Sequence, residues 1–314
     1  MNQTLNRRDM IRGSAAVTIG TLATTCQSTV AAEPKADPFR YCLNTSTIRG
    51  QNLGIVAEVD LAAKAGYDGI EPWIRELDDY VQQGGSLPDL RKRIADAGLK
   101  VESAIGFAAF LHENAAERQK GLEEAKRSME LVLAIGGSRL AAPPVGVTDK
   151  TGLDLLQLAA RYRALCELGQ SAGCAPQLEL WGFSQTLCRL GEVAFVGIEA
   201  AHPAACFLLD IYHIHKGGSD FLGLEFFPTD RMHVLHVNDY PAAPPRAEIT
   251  DAHRVYPGDG VAPNRQIYRL LRDRGFRGAL SLELFNRDYW QQDAGLVVET
   301  GLRKMKETVA MALS

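Results

Sequence analysis

In GALSLELF, residues 278–285, an apolar run carries one carboxylate, Glu283, between two leucines. Alternate residues of a strand face the same way, so Glu283 points opposite to Leu282 and Leu284. A charge inside a buried strand is expensive unless something compensates it. The arrangement occurs three times more upstream: Glu179 in APQLELW (175–181), Asp210 in ACFLLDIY (205–212) and His236 in MHVLHVND (232–239). Four successive strands thus each deliver one acidic or imidazole side chain. Brought to one end of a barrel, three carboxylates and one imidazole would be compensated by a single divalent cation.

Working outward, four further stretches read as strands: FRYCLNT (39–45), GYDGIEPWI (66–74), KVESAIGF (100–107) and SRLAAPPV (138–145). Between strands lie stretches with apolar residues at three- and four-residue spacing, such as 87–98, 117–137, 153–173 and 264–275. Several end in glycine shortly before the next strand: Gly66, Gly98, Gly136, Gly173 and Gly275, the usual left-handed cap. The sixth helix is the weakest, because GGSDFLGLEFFPTD (217–230) reads as loop and turn. Eight strand–helix units over about 275 residues predict a (β/α)8 TIM barrel, an α/β fold whose active residues sit at the C-terminal strand ends. The alternative is a doubly wound open sheet. No GxGxxG opens a helix after the first strand, and no GxxxxGK[ST] occurs.

The 314 residues are 46% hydrophobic and 23% charged, enough for a large core. The net charge is −4 with no dense basic stripe, which argues against a nucleic-acid partner. Residues 1–32 read as a twin-arginine export signal: Arg7-Arg8-Asp9, a modest apolar stretch and small residues at Val30-Ala31-Ala32. Its removal takes away three arginines and one aspartate, moving the charge to −6. The expected domain is 33–314, periplasmic or otherwise exported by the twin-arginine machinery, with no integral membrane contact. Cys26 sits in a poor lipoprotein box. Cys42, Cys166, Cys174, Cys188 and Cys206 are too scattered for a zinc pattern and read as buried small hydrophobes.

Asp210 alone could cap a helix; within the set it reads as a ligand. His233 competes with His236, but the two have opposite strand parity. His236 lies nearer the polar end, beside Val237-Asn238-Asp239. Oxygen ligands with one imidazole and no thiolate suit Mn²⁺ first, then Zn²⁺, Co²⁺ or Mg²⁺. Open positions on such an ion would take the carbonyl and hydroxyl of an α-hydroxyketone and stabilise the enediolate left by proton loss.

GYDGIEPW, QLELWGF, LLDIYHIHKGG, HVNDYP, TDAHRVYPGDG and LSLELFNRDYW together resemble the xylose-isomerase-like barrel family of sugar isomerases and epimerases, nearest to its inosose isomerases. The resemblance runs from about residue 40 to the end. It implies a metal held by Glu179, Asp210, His236 and Glu283, with Glu179 and Glu283 also serving as the acid/base pair. It assigns substrate contacts to His213 and Arg254; His215 and Lys216 lie nearby. Glu71 and Trp73 end the second strand and either line the pocket or serve as ion pair and packed aromatic. An export signal is unusual for such proteins, and Gly258 and Gly260 are explained by a tight turn rather than a phosphate cradle. A free sugar, cyclitol or keto-glycoside therefore fits better than a sugar phosphate. The expected function is isomerisation or epimerisation of a keto-sugar or keto-cyclitol. The rivals are a keto-glycoside lyase or hydrolase, a non-catalytic exported sugar-binding barrel and, less well supported, an abasic-site nuclease. A homo-oligomer is also expected, since helices of such barrels often pair.

Overall fold

The computed structural model describes residues 38–314; the stretch read as an export signal lies outside them. Eight strands form: β1 Arg40–Asn44, β2 Gly69–Glu71, β3 Lys100–Val101, β4 Arg139–Ala142, β5 Ala175–Glu179, β6 Cys206–Asp210, β7 Met232–Val237 and β8 Ala279–Leu282. Each lies in a stretch that reads as a strand in the sequence. All pairings are parallel, in the order β3-β2-β1-β8-β7-β6-β5-β4. The remaining seam is closed just past β3, where Ala104 N–H donates to Arg139 O (3.2 Å) and Ala104 O accepts from Ala141 N–H (2.9 Å). A sheet whose two ends bond to each other is a barrel, which rules out the open doubly wound alternative.

The helices are α1 Ile55–Ala65, α2 Ile74–Gln82, α3 Leu87–Asp96, α4 Ala115–Ala134, α5 Leu155–Ala172, α6 Leu190–Glu199, α7 Ile211–Gly217, α8 Asn264–Asp273 and α9 Ala294–Leu313. α5 shows why they form. It buries Leu158, Ala159, Tyr162, Leu165, Cys166 and Gly169, one stripe at helical spacing. Asp154 caps its start by accepting from Leu156 N–H (2.9 Å), and Gly173 ends it at φ 83°. The Tyr162 hydroxyl ties the helix to the sheet, standing 2.9 and 2.8 Å from the carbonyl oxygens of Pro176 and Cys206. The connection from β6 to β7 holds only the seven-residue α7 and two 3-10 turns, in keeping with its glycine-rich sequence.

Strand alternation sorts the barrel. Leu43, Leu178, Leu209, Leu235, Leu280 and Leu282 pack outward among the helices. Cys42, Ala141, Leu208, Val234 and Ala279 fill the interior beneath Trp73 and Ile105. These inner residues are mostly small, and a buried polar layer lies on the same faces: Asn44, Glu71, Glu179, Asp210, His236, Ser281 and Glu283. Cys42, Cys166, Cys174 and Cys206 are buried, Cys188 is half-buried, and all five are free thiols. Among the described residues no helix is long and apolar enough to cross a membrane.

Candidate metal centre

The register of the last strands sets the site. Asp210 on β6 pairs with His236 on β7, and His236 pairs with Ser281 on β8, two residues before Glu283. Asp210, His236 and Glu283 each offer a ligand atom within 4.8 Å of the others. His236 Nδ1 stands 3.2 Å from Glu283 Oε2 and 3.7 Å from Asp210 Oδ2, yet forms no hydrogen bond with either. His233, of opposite parity, is half-buried and outside this group.

Asp210 caps a helix, as it could alone, and also faces the cluster. Its Oδ1 caps α7 by accepting from His213 N–H at 2.9 Å, while Oδ2 faces the cluster. Glu179 ends β5, is buried, and lines the cavity above the cluster. It stands outside the three-residue group, and its Oε2 has no partner.

Glu71 lies elsewhere than on the pocket wall. It is fully buried behind His236, and its Oε2 is 3.0 Å from His236 Nε2. The same oxygen accepts from Asn44 Nδ2 (3.0 Å) and Ser281 Oγ (2.7 Å). A carboxylate on Nε2 fixes the tautomer that turns the Nδ1 lone pair toward an ion. Trp73 does line the cavity, and its Nε1 donates to Asn44 Oδ1 at 3.0 Å. Asn44 in turn donates to Glu283 Oε1 at 3.2 Å. Asn238 donates to both Asp210 oxygens at 3.2 Å. Asn44, Ser281 and Asn238 were not singled out in the sequence, although Ser281 and Asn238 share strand parity with the ligands they accompany.

Arg254 reaches the site from the loop after β7. Asp239 organises that loop, accepting backbone N–H groups from Tyr240 (2.8 Å), Gly258 (2.9 Å) and Ala262 (2.8 Å). The amides that could have cradled a phosphate are thus taken by a carboxylate of the chain. A side chain at Gly260 would put its Cβ 2.2 Å from Tyr240 O. Fully buried, Arg254 Nη1 donates to Asp210 Oδ2 (2.7 Å) and Glu283 Oε2 (2.8 Å). Its Nη2 donates to Asp251 Oδ1 (2.6 Å) and stands 3.1 Å from His213 Nε2. His215 and Lys216 do not line the cavity; His215 stacks on Tyr240 and Lys216 donates to Arg246 O and Ala247 O.

Glu71, Asp210 and Glu283 make the cluster strongly negative, a charge that a bound ion would answer in place of a proton on His236. Burial alone would raise the Asp210 carboxyl, but Arg254, His213 and His236 hold it well below its ordinary range. Burial would lower His236, yet Glu283 and Glu71 carry it well above the usual imidazole value. Burial pushes Glu179 up to about 8, with Glu283 and Asp210 adding to the rise and His236 opposing it. Burial also lowers His213. The Arg254 guanidinium can only donate, so His213 Nε2 accepts from it, and Nδ1 has no partner. Two carboxylates, an imidazole nitrogen without a partner and an adjacent buried carboxylate form a donor set that fits a divalent cation.

The cluster opens into a cavity of about 620 Å³ lined by Glu179, His213, Arg254 and Glu283 below and by Trp73, Phe107, Trp181, Phe183, Phe285 and Trp290 around. A family model described as xylose isomerase-like TIM barrel matches residues 59–308. The chain belongs to this family. Within the xylose isomerase-like barrels, an inosose isomerase from Halalkalibacterium halodurans is 27% identical over 283 residues, covering 88% of this chain and 97% of that one. A 3-dehydroshikimate dehydratase from Pseudomonas aeruginosa is 26% identical over 257 residues, covering 79% of this chain and 39% of that one. The crystal structure of the IolI protein with a binding zinc atom has a TM-score of 0.80 at 21% identity, over 87% of this chain and 99% of that one. At that identity the likeness speaks for the fold.

Proposed function

We propose that the chain is a divalent-metal-dependent isomerase or epimerase of a keto-sugar or keto-cyclitol, acting by moving a proton next to a carbonyl. One observation carries the reading. A buried Asp210–His236–Glu283 cluster, its imidazole turned by Glu71, opens on a cavity that also exposes Glu179. Relatives named for isomerisation of inosose and dehydration of 3-dehydroshikimate support it.

Asp210, His236 and Glu283 would hold the ion, with Glu179 from the wall of the same cavity proposed as the fourth ligand. A bound divalent cation supplies charge stabilisation for substrate oxygens that turn negative when the neighbouring C–H is deprotonated. The chain's residues do the rest. Glu179, on the cavity wall, would take or return the proton. Glu283 is its partner, held by Asn44 and Arg254. His213, also on the cavity wall, would contact a substrate oxygen. Arg254 keeps both flanking carboxylates in place. The aromatic walls give a substrate ring an apolar surface to lie against.

The test is proton exchange in D₂O, followed by NMR on a panel of inososes and ketoses after metal loading. Deuterium at the carbon next to the carbonyl, without loss of a substituent, is the expected result. Glu179→Gln should cut exchange about 10²–10⁴-fold, the usual contribution of one general acid/base group. Exchange at the wild-type rate in that variant, or metal analysis showing no bound divalent ion, defeats the reading. The lyase alternative draws on the cavity, which is larger than one cyclitol ring needs; release of an aglycone from a 3-keto-glycoside would establish it.

Export to the periplasm is also proposed, on the Arg7-Arg8 segment alone. Replacing both arginines with lysine should leave the protein in the cytoplasmic fraction; unchanged periplasmic recovery overturns this.

A further inference from the structure

Arg49 is held among three aromatic rings in the cavity wall, its guanidinium carbon 4.8 Å from the ring centre of Trp73, 5.2 Å from Phe285 and 5.1 Å from Trp290. Both indoles are fixed independently of it. Trp73 Nε1 donates to Asn44 Oδ1 (3.0 Å) and Trp290 Nε1 to Ser46 O (3.1 Å). Trp290 also packs closely on Gly50, where an added Cβ would come within 2.3 Å of the Trp290 Cβ. The cage therefore does not need the arginine to hold it together.

A guanidinium carries five N–H donors. The rings stabilise its charge but take none of those donors in a conventional hydrogen bond. No side-chain hydrogen bond or ion pair from Arg49 to another described residue is formed, and it is half-buried. Burial lowers its pKa and nearby Arg75 adds to this, while Glu76 and Glu283 oppose it. A half-buried fork with open donors, facing the cavity that holds Glu283 and Glu179, is complementary to an oxyanion. Arg287 lines the same cavity from an exposed position and adds positive charge.

We infer that Arg49 is a specificity residue that receives an anionic substituent, a carboxylate or phosphate, on the ring ketone bound at the metal centre. The inference rests on the proposed function, since it takes this cavity as the substrate site. It narrows the substrate from neutral ketoses and cyclitols to acidic ones.

The chain's three tryptophans, Trp73, Trp181 and Trp290, all line the cavity, so intrinsic fluorescence reports its occupancy. The metal-loaded protein is titrated with D-glucuronate, D-glucose 6-phosphate and D-glucose. At least one acid should bind tenfold or more tightly than glucose, and the stronger acid identifies the substituent. In Arg49→Gln that preference should vanish while glucose binding stays within twofold. Equal binding of all three by the wild type overturns the inference and needs no variant. Survival of the preference in Arg49→Gln also overturns it, because the acid then sits on the metal. Equal weakening of all three sugars does the same, by making Arg49 a structural prop. If Arg49→Gln does not fold, Arg49→Lys replaces it, keeping the charge without the fork. A preference reduced threefold or more supports the inference and an undiminished one overturns it. Deuterium exchange on a neutral inosose is scored separately. Exchange without acid preference sinks only this inference, and acid preference without exchange sinks only the isomerase reading.

Discussion

Glu71 shows how one side chain can govern a site it does not line. Its carboxylate accepts from Asn44 and Ser281 and fixes His236 through Nε2. Glu71→Gln keeps the shape but removes the charge that holds the tautomer. Metal affinity should fall about 10–100-fold, the typical effect of losing a carboxylate behind a ligating histidine; a competition titration with a metal indicator measures it. An unchanged affinity would make Glu71 a mere buried hydrogen-bonding group. Strand parity made Asp210, His236 and Glu283 legible in the sequence, because it says which way a side chain points. It does not say how far along the barrel axis the side chain sits or how far it reaches. Glu71 therefore reads equally as a pocket residue or as half of an ion pair, and it is the pairing with His236 that forms; Glu179 reads as a ligand on the same footing as the trio, its reach being what parity leaves open. Arg49 is not legible in the sequence, because an arginine in a short 3-10 turn reads as an ordinary surface charge.

At the level of the element, the segment from β7 to α8 does most to position the site. Asp239 gathers three backbone N–H groups and Asn264 Nδ2 (3.1 Å), and the turn it shapes delivers Arg254. Asp239→Ala leaves those donors unpaired. It should cost about 1–3 kcal/mol, read by urea unfolding, and make residues 240–262 susceptible to limited proteolysis. Gly260→Ala should give the same proteolytic signature, because its Cβ would meet Tyr240 O. Resistance equal to wild type in both variants would show that the turn is held by other means. The strands were legible because their apolar runs are short and bounded. The β6–β7 connection was legible as a helix-poor stretch for the opposite reason, its glycines. KVESAIGF misled in length only: Glu102, within the run, pairs with Arg40 (2.6 Å), and regular pairing ends at Val101.

For the whole molecule, a buried carboxyl outside the site makes stability depend on pH. Glu58 on α1 is buried with one oxygen unpartnered, and burial, aided by Glu76 and opposed by Arg75, raises it to about 8. An unfolded glutamate titrates near ~4.3. Between those values the folded state holds a proton that the unfolded state has released, so stability falls as pH rises through that window and levels off above it. Glu58→Gln should leave the melting temperature unchanged near pH 4.5 and raise it at pH 8.5. Parallel melting curves at both pH values would contradict the assignment.

The ring of staves is unequal. Seven of its joints are strand ladders, while the eighth has as backbone links only the two that Ala104 makes to Arg139 and Ala141, beside one side-chain bond from Arg139 to Glu102 O. A cask parts first at its thinnest joint. Isotope labelling of the folded protein should therefore find the Ala104 and Ala141 amides among the earliest of the barrel to yield their hydrogens. That yielding edge lies between the third and fourth staves, which supply none of the three clustered ligands, so the molecule can breathe there without loosening its grip on an ion.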